Sequence, residues 1–578
     1  MARDSDIITY VLYLKVGKSA GREYLSIVRG YWDPETKRSR TKTVKSLGYL
    51  DKLALEYEDP VAHFRQVANE MNNEVKEDLV EFNVTTNRFA KLSDSPIGIK
   101  NLGYAALSQI YHELSLDSFF YNHSRSWKCE YSINEIMKLL VYSRILCPGS
   151  KKKAYENKEQ YFDKMDFSLD DLYRSLSKIS TLKDDLQVHM HKKMTEKYGR
   201  STELVYYDVT NYYFEIDDQD ALRKKGVSKE HRPDPIIQLG LFVDTNGIPI
   251  CYRLFPGNTH DSETLIPQIV DLSKEYGLRR TIVVADKGLN TGDNIAINVI
   301  AKNGYVFSQT IRGANKDLKD FVLNESNFKS LSDGFKSKSR LVPRTINVTT
   351  KDGKKTKVEV DEKQVAIYSA KYAAKAKKDR QAVIAKAHEL VANPSLFKKA
   401  TSYGAAKYVK NLVFDQKTGE IIDTKAKPIF DEKKLLEDER FDGYYVIVTS
   451  EYKKSDEEIL NIYKGLWQIE EAFRVSKSDL ETRPVYLSRH DRIESHFLTC
   501  FIALYIAKLL ALKLNKKYSV NKIAESLKAM SYSHVEQNLY VGNYADEITK
   551  DLKEQLGIDL DRKYLTLGEI RKLMGSTK

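Results

Sequence analysis

The chain has 578 residues and a mass of 66.5 kDa, too long for one compact core and sized for several units. Its 93 Lys and Arg against 81 Asp and Glu give a formal charge of +12 and a pI near 9.0, a balance that favours a polyanionic partner. Four widely spaced cysteines, Cys129, Cys147, Cys251 and Cys500, exclude a disulfide framework and any CxxC metal site, and predict a reducing, cytoplasmic setting.

The start, MARDSDIITYVLYLKVGK, has the mixed charge of a strand-forming segment and not of a secretory leader. Residues 1–60 are predicted to form a small basic β unit from ITYVLYLKV, REYLSIVRGYW and SRTKTVKSLGYL, with a turn at Asp33-Pro34. GKS at Gly17 to Ser19 is no phosphate loop, because the pattern needs Gly where Leu12 stands. Residues 61–200 carry helical periodicity, as in IGIKNLGYAALSQIYHEL and SINEIMKLLVYSRIL, joined by the basic connector CPGSKKKAYENK. This all-helical module is expected to contact DNA ends. His189 and His191 flank Met190 on different helix faces, which favours surface or packing roles over metal ligation.

From 201 to 311 the pattern is α/β: strands LVYYDVT, IIQLGLFVD and IPICYRLFPG, a helix from about Ser262, strand TIVVAD, helix GDNIAINVIAKNG and strand YVFSQT. Three strands before the first helix, then alternating helix and strand, is the RNase H-like order. Glu215, Asp217, Asp218 and Asp220 after the first strand suit a solvated loop, and PGNTHDSET suits a helix start capped by Thr259 or Asp261. Residues 312–443 break the order with strand-rich and Lys-rich helical sequence and are predicted to be an inserted subdomain. Strand YYVIVTS and a helix from Ser455 to about Leu480 resume the core over 444–515, and 516–578 is expected to be a helical tail. The apolar run from Phe497 stops at Lys508, short of the roughly 20 residues of a membrane span, and reads as a buried core helix. His496, just before it, is compatible with core or DNA.

Three acids stand out. Asp208 is expected to end its short apolar strand, on one face with Tyr206 and Thr210, and Asp286 terminates TIVVA, at the strand end where α/β sheets place ligands. Glu470 occupies a helix whose Ile462, Leu466, Ile469 and Phe473 fall at helical spacing, with Glu471 as its rival. Attack on a phosphodiester builds charge that a pair of Mg²⁺ ions about 3.5–4 Å apart can steady, and Mg²⁺ takes hard oxygen ligands, so carboxylates suffice.

These blocks resemble the DDE transposases of bacterial insertion sequences, specifically insertion-sequence family four and its relatives, which carry a Tyr, Arg, Glu, Lys signature around the third acid. Here Tyr463, Glu470 and Lys477 stand at the signature spacing, while Leu466 replaces the Arg. The match selects Glu470 over Glu471. HRPDPIIQLGLFVDTNGIPICYRLFPGNTHDSETL and VVADKGLNT resemble the first two catalytic blocks, assigning Asp208 and Asp286, 78 residues apart, with 184 more to Glu470 because of the insertion.

The resemblance implies a catalytic and metal-binding set of Asp208, Asp286 and Glu470 on an RNase H-like core, with two Mg²⁺ ions for which Mn²⁺ can substitute. It implies strand cleavage at element ends followed by transfer into target DNA. Double-stranded DNA, both terminal inverted repeats and target, is the implied partner of a homodimer assembled on it, with no membrane involved and the nucleoid as the place of action. Tyr463 and Lys477 would contact terminal phosphates, and Lys464, Arg474 or Arg483 would replace the contact that Leu466 lacks. An aromatic of the insertion, with Tyr368, Tyr372 and Tyr403 as candidates, could stack an extruded base.

Overall fold

A computed structural model describes residues 12–19, 21–33, 38–74, 89, 98–230, 232–277, 280–350, 352–393, 403–411, 413–414, 421–422, 427–536 and 538–578. The turn expected at Asp33-Pro34 and the side chain of Tyr403 lie outside the described residues. The chain divides into two compact units, 1–94 and 95–578.

The first unit is an antiparallel sheet in the order β1 (Leu12–Ser19), β2 (Arg22–Asp33), β3 (Arg38–Tyr49), followed by the helix Pro60–Glu74. Alternation along β1 puts Leu12 and Leu14 on the face that meets Ile27, Leu47 and the helix residues Val67, Ala68 and Met71.

The second unit is built around the apolar helix His490–Lys513, which is almost wholly buried against helices Tyr104–Glu113, Ile133–Leu146 and Leu169–Ser180. It is a core helix, as its short apolar run predicts. His496 is settled as core too: one ring nitrogen meets Lys151 Nζ at 2.7 Å and the other the Thr482 carbonyl at 2.9 Å. His191 is buried and His189 bonds the Leu114 carbonyl, both packing roles.

The expectation of an all-helical module and a helical tail is corrected. Strand β4 (Ile99–Asn101) of the helical region pairs with β18 (Ser531–Glu536), which pairs with β19 (Leu539–Gly542), which pairs with β20 (Tyr564–Thr566). Asn101 fixes the junction, its amide donating to the carbonyls of Leu527 and Lys528 at 2.8 and 3.0 Å. Strands of three to six residues paired across 430 positions leave no local periodicity to read.

A nine-stranded mixed sheet carries the site. Strands β5 (Leu204–Tyr213), β6 (Ile236–Val243) and β7 (Pro249–Pro256) form an antiparallel meander, and β8 (Ile282–Ala285) and β9 (Gly304–Gln309) join β5 in parallel, giving the order β7-β6-β5-β8-β9. β6 is buried throughout, as a central strand covered on both faces should be. The stretch 312–443 does not fold wholly apart from this sheet. Its β10 (Lys329–Ser330), β11 (Phe335–Thr349) and β12 (Lys355–Ser369) extend the sheet beyond β17 (Tyr444–Thr449), which pairs with β9. Two small ribbons, β13 (Val409–Lys410) with β16 (Ile429–Phe430) and β14 (Val413–Phe414) with β15 (Ile421–Ile422), follow the Lys-rich helix Ala370–Ala392.

Candidate active site at the ends of the parallel strands

The register of β5 on β8 pairs Leu204 with Ile282, Val205 with Val283 and Tyr206 with Val284. The pairing stops there: β8 ends at Ala285, just before Asp286, whereas β5 runs on to Tyr213, so Asp208 lies midway along its strand and not at its end as expected, close enough to Asp286 to feel its charge. Both carboxylates are half-buried. Ser308 Oγ on β9 donates to Asp286 Oδ1 at 2.8 Å and fixes its orientation.

The helix expected over Ser455 to about Leu480 is in fact broken into Asp456–Lys464, Trp467–Arg474 and a π-turn, Val475–Asp479. Ser455 starts the first piece through a capping box with Glu458. The break falls at Gly465, where a Cβ would collide with the hydroxyl of Tyr206, on the same face of β5 as Asp208. This close approach seats the second piece over the strand ends. Ile469, Ala472 and Phe473 anchor it in the core.

The two glutamates part company here. Glu471 forms an ion pair with the buried Lys508 of the central helix and lies 3.8 Å from Arg474. Glu470 is exposed and lines a cleft of about 640 Å³ together with Asp286, Ser308, Tyr463, Lys464 and Trp467. The Tyr463 hydroxyl sits beside Ser308 and Asp286, and burial pushes its pKa up to about 12.

The expected phosphate contacts are dispersed. Lys477 lies near Asp208, and burial, with the Lys229 ammonium, pulls it down to about 8. Arg483 and Lys477 share the carboxylate of Glu230, the lysine at 3.5 Å. Lys464 lies over the Phe335 ring at 4.3 Å and pairs with Asp333 at 3.3 Å. Arg474 is held by Asp479 at 3.1 Å. Leu466 is buried, and the cleft carries two cations the sequence did not single out, Lys287 and Arg312. Of the aromatic candidates, Tyr372 lines this cleft and Tyr368 a neighbouring one, and the exposed Trp467, which no sequence pattern marks, lines the first as well.

Asp208 is the most perturbed acid of the site. Burial pushes it up to about 6, with Asp261 and Asp286 as like charges adding to the rise and Lys229 and the Val209 N–H opposing it. Asp261 is thus a fourth acid near the site. It begins the helix Asp261–Glu275 without capping it, since His260 is the cap residue and no side-chain cap bond forms. Asp261 stands one position inside the helix, where an acid favours the dipole and cannot reach back to cap.

The donors are hard oxygens with no His or Cys among them, which suits a hard divalent cation. Among the described residues no three His, Cys, Asp or Glu side chains stand close enough to enclose an ion, so Asp208, Asp286 and Glu470 are not gathered into one cluster.

Because the folded pKa of Asp208 lies above its ordinary 3.8, its ionised form costs stability above about pH 6, and that cost disappears as the pH falls through 3.8. Asp208→Asn is therefore expected to stabilise the metal-free protein at pH 8 by about 1–2 kcal/mol. Denaturation curves at pH 8 and pH 4 check this, the gain vanishing at the lower pH. A gain that persists at pH 4 would point to packing and not to charge.

Residues 219–506 match the family described as transposase DDE domain, and residues 14–81 match the IS1634 family transposase N-terminal domain. Together the two matches span more than half of the chain, and Asp286 and Glu470 fall within the first, which begins 11 residues after Asp208. The chain belongs to the DDE transposases of bacterial insertion sequences. It is an enzyme of the class that generally acts on DNA with divalent metal. No curated protein matches it. Among solved structures, one of a piggyBac transposase synaptic complex with hairpin DNA aligns at a TM-score of 0.36 and 8% identity over 74% of this chain and 79% of that one, a likeness too loose to transfer detail from.

Proposed function

We propose that this transposase cuts at the ends of its element and joins the freed 3′ hydroxyls to target DNA, with Asp208, Asp286 and Glu470 as the catalytic acids of an RNase H-like core. The observation that supports this is the parallel pairing of β5 with β8, which brings Asp208, midway along β5, into the field of Asp286, just past the end of β8, where Asp286 and Glu470 line one cleft. The strand order β7-β6-β5-β8-β9, with an antiparallel meander feeding two parallel strands, supports the RNase H-like assignment.

Asp208 and Asp286 would hold Mg²⁺, with Glu470, water and DNA oxygens completing its shell. When bound there, a pair of such ions supplies charge stabilisation to the attacking and leaving oxygens of the scissile phosphate. Ser308 keeps Asp286 turned towards the cleft, and the Tyr463 phenol, protonated throughout the physiological range, donates to phosphate oxygens at its mouth. Lys477 and Arg483 would hold the phosphate next to Asp208, and Lys464, Lys287 and Arg312 the backbone running through the cleft. Trp467 and Tyr372 offer ring faces to an unpaired base, at a scale of about 1–3 kcal/mol per stacked base.

We read the helical region and the basic N-terminal unit as the parts that bind terminal repeats, and a dimer on DNA in the nucleoid as the working form. A supercoiled target plasmid incubated with labelled element-end duplex and Mg²⁺ tests the assignment. Covalently joined products are expected, and nicking alone would instead identify a nuclease.

A further inference from the structure

The loop from β5 to β6 turns back onto the catalytic end at Ser228 to Glu230. Asn211 of β5 donates to the Val227 carbonyl at 3.3 Å, and the buried Ser228 hydroxyl accepts from the N–H of Glu230 at 3.2 Å and of Arg232 at 3.3 Å. These bonds hold the backbone of the turn that carries Lys229 and Glu230. Lys229 Nζ donates to the carbonyl of Val209, the residue next to Asp208, and its charge favours the ionised Asp208 and disfavours the protonated Lys477. The Glu230 carboxylate lies between Lys477 and Arg483, and all three side chains are mostly buried, at 27%, 14% and 24% exposed.

An ammonium therefore stands at the first acid, and a carboxylate stands between two cations a few ångströms away. We propose that Lys229 and Glu230 are an internal stand-in for the catalytic cation and the DNA phosphate, and that they determine specificity by making metal loading conditional on DNA. This rests on Asp208 being a metal ligand and Lys477 with Arg483 being phosphate contacts.

The logic is charge exclusion. A phosphate cannot share the two cations with Glu230, since two anions held by the same donors repel at close range. Glu230 must leave when DNA enters. Lys229 is its chain neighbour in the same Ser228 turn, so its departure withdraws the ammonium from Asp208. DNA binding then frees the acid pair for metal, and by linkage metal favours DNA to the same degree. A chain without this loop contact would carry a loaded metal at all times and would be open to idle hydrolysis.

The test uses the full chain with two readouts besides activity. Mn²⁺ titrations followed by electron paramagnetic resonance, without DNA, compare the native protein with Lys229→Met, Asp208→Asn and the double variant. Lys229→Met is expected to tighten Mn²⁺ by about tenfold, the scale of removing one like charge from a partly solvated site. Asp208→Asn should abolish that gain, and duplex DNA should tighten Mn²⁺ in the native protein but not in Lys229→Met. Glu230→Gln should bind a duplex oligonucleotide more tightly, and by more than Glu215→Gln, an exposed acid of the same loop that controls for net charge. Unchanged or weaker Mn²⁺ binding by Lys229→Met, or weaker DNA binding by Glu230→Gln, overturns the proposal and makes the loop a structural brace. If Asp208→Asn itself leaves Mn²⁺ binding intact, the assignment of the metal site fails as well, and the two failures are told apart by that variant.

Discussion

Glu470→Gln is expected to lower single-turnover cleavage of a labelled element-end duplex by about 10³-fold, the scale of losing a carboxylate that steadies charge at a scissile phosphate. The side chain is exposed in the cleft and makes no ion pair among the described residues. Its neutralisation should therefore leave the denaturation midpoint unchanged, within about 0.5 kcal/mol. Duplex binding at fixed salt should stay close to native, since the proposed phosphate contacts are Tyr463 and the cations around the cleft and not Glu470. Native cleavage by this variant would remove Glu470 from the catalytic set.

Glu471→Gln is expected to do the opposite, although it alters the next residue. Its carboxylate is the partner of Lys508, a lysine on the central helix that is 8% exposed and whose pKa burial already pulls down to about 8. Removing one member of a buried pair leaves the other charge uncompensated, at a cost of several kcal/mol when burial is complete. With Glu471 partly solvated, about 2–3 kcal/mol is expected here. Cleavage at a temperature where the variant is folded should remain within a few fold of native. A chemical denaturation series measures the loss, and Glu471→Gln with Lys508→Met should recover part of it, because the double variant buries no lone charge. Native stability in Glu471→Gln would mean that the pair contributes nothing to the fold.

The choice between these glutamates shows what the sequence could and could not convey. Helical spacing alone left both open, because either could face the strand ends, and the Tyr463, Glu470, Lys477 pattern favoured the first by resemblance. The physical ground is a contact with Lys508, 37 residues on, which no local pattern contains. Asp286 was legible for a different reason: it ends a run of apolar residues typical of a buried strand, and such ends point to the ligand side of a sheet, whereas Asp208 lies midway along a strand that continues to Tyr213. The break at Gly465 was not legible, since it depends on the Tyr206 hydroxyl lying under the chain. Nor was the pairing of β4 with β18, or the contribution of 312–443 to the main sheet, because both join segments far apart in sequence. Lys229 and Glu230 sit in an irregular loop, where periodicity says nothing and only the folded position beside Asp208 and Lys477 gives them meaning.

We propose that Asp208, Asp286 and Glu470, and not the cations around them, hold the metal that acts on DNA. Electron paramagnetic resonance of Mn²⁺ bound to the protein with element-end duplex addresses it directly. Tight Mn²⁺ binding is expected in the native complex, lost in Asp208→Asn and Asp286→Asn and weakened in Glu470→Gln. Mn²⁺ binding of native affinity in a variant carrying all three substitutions would contradict the account.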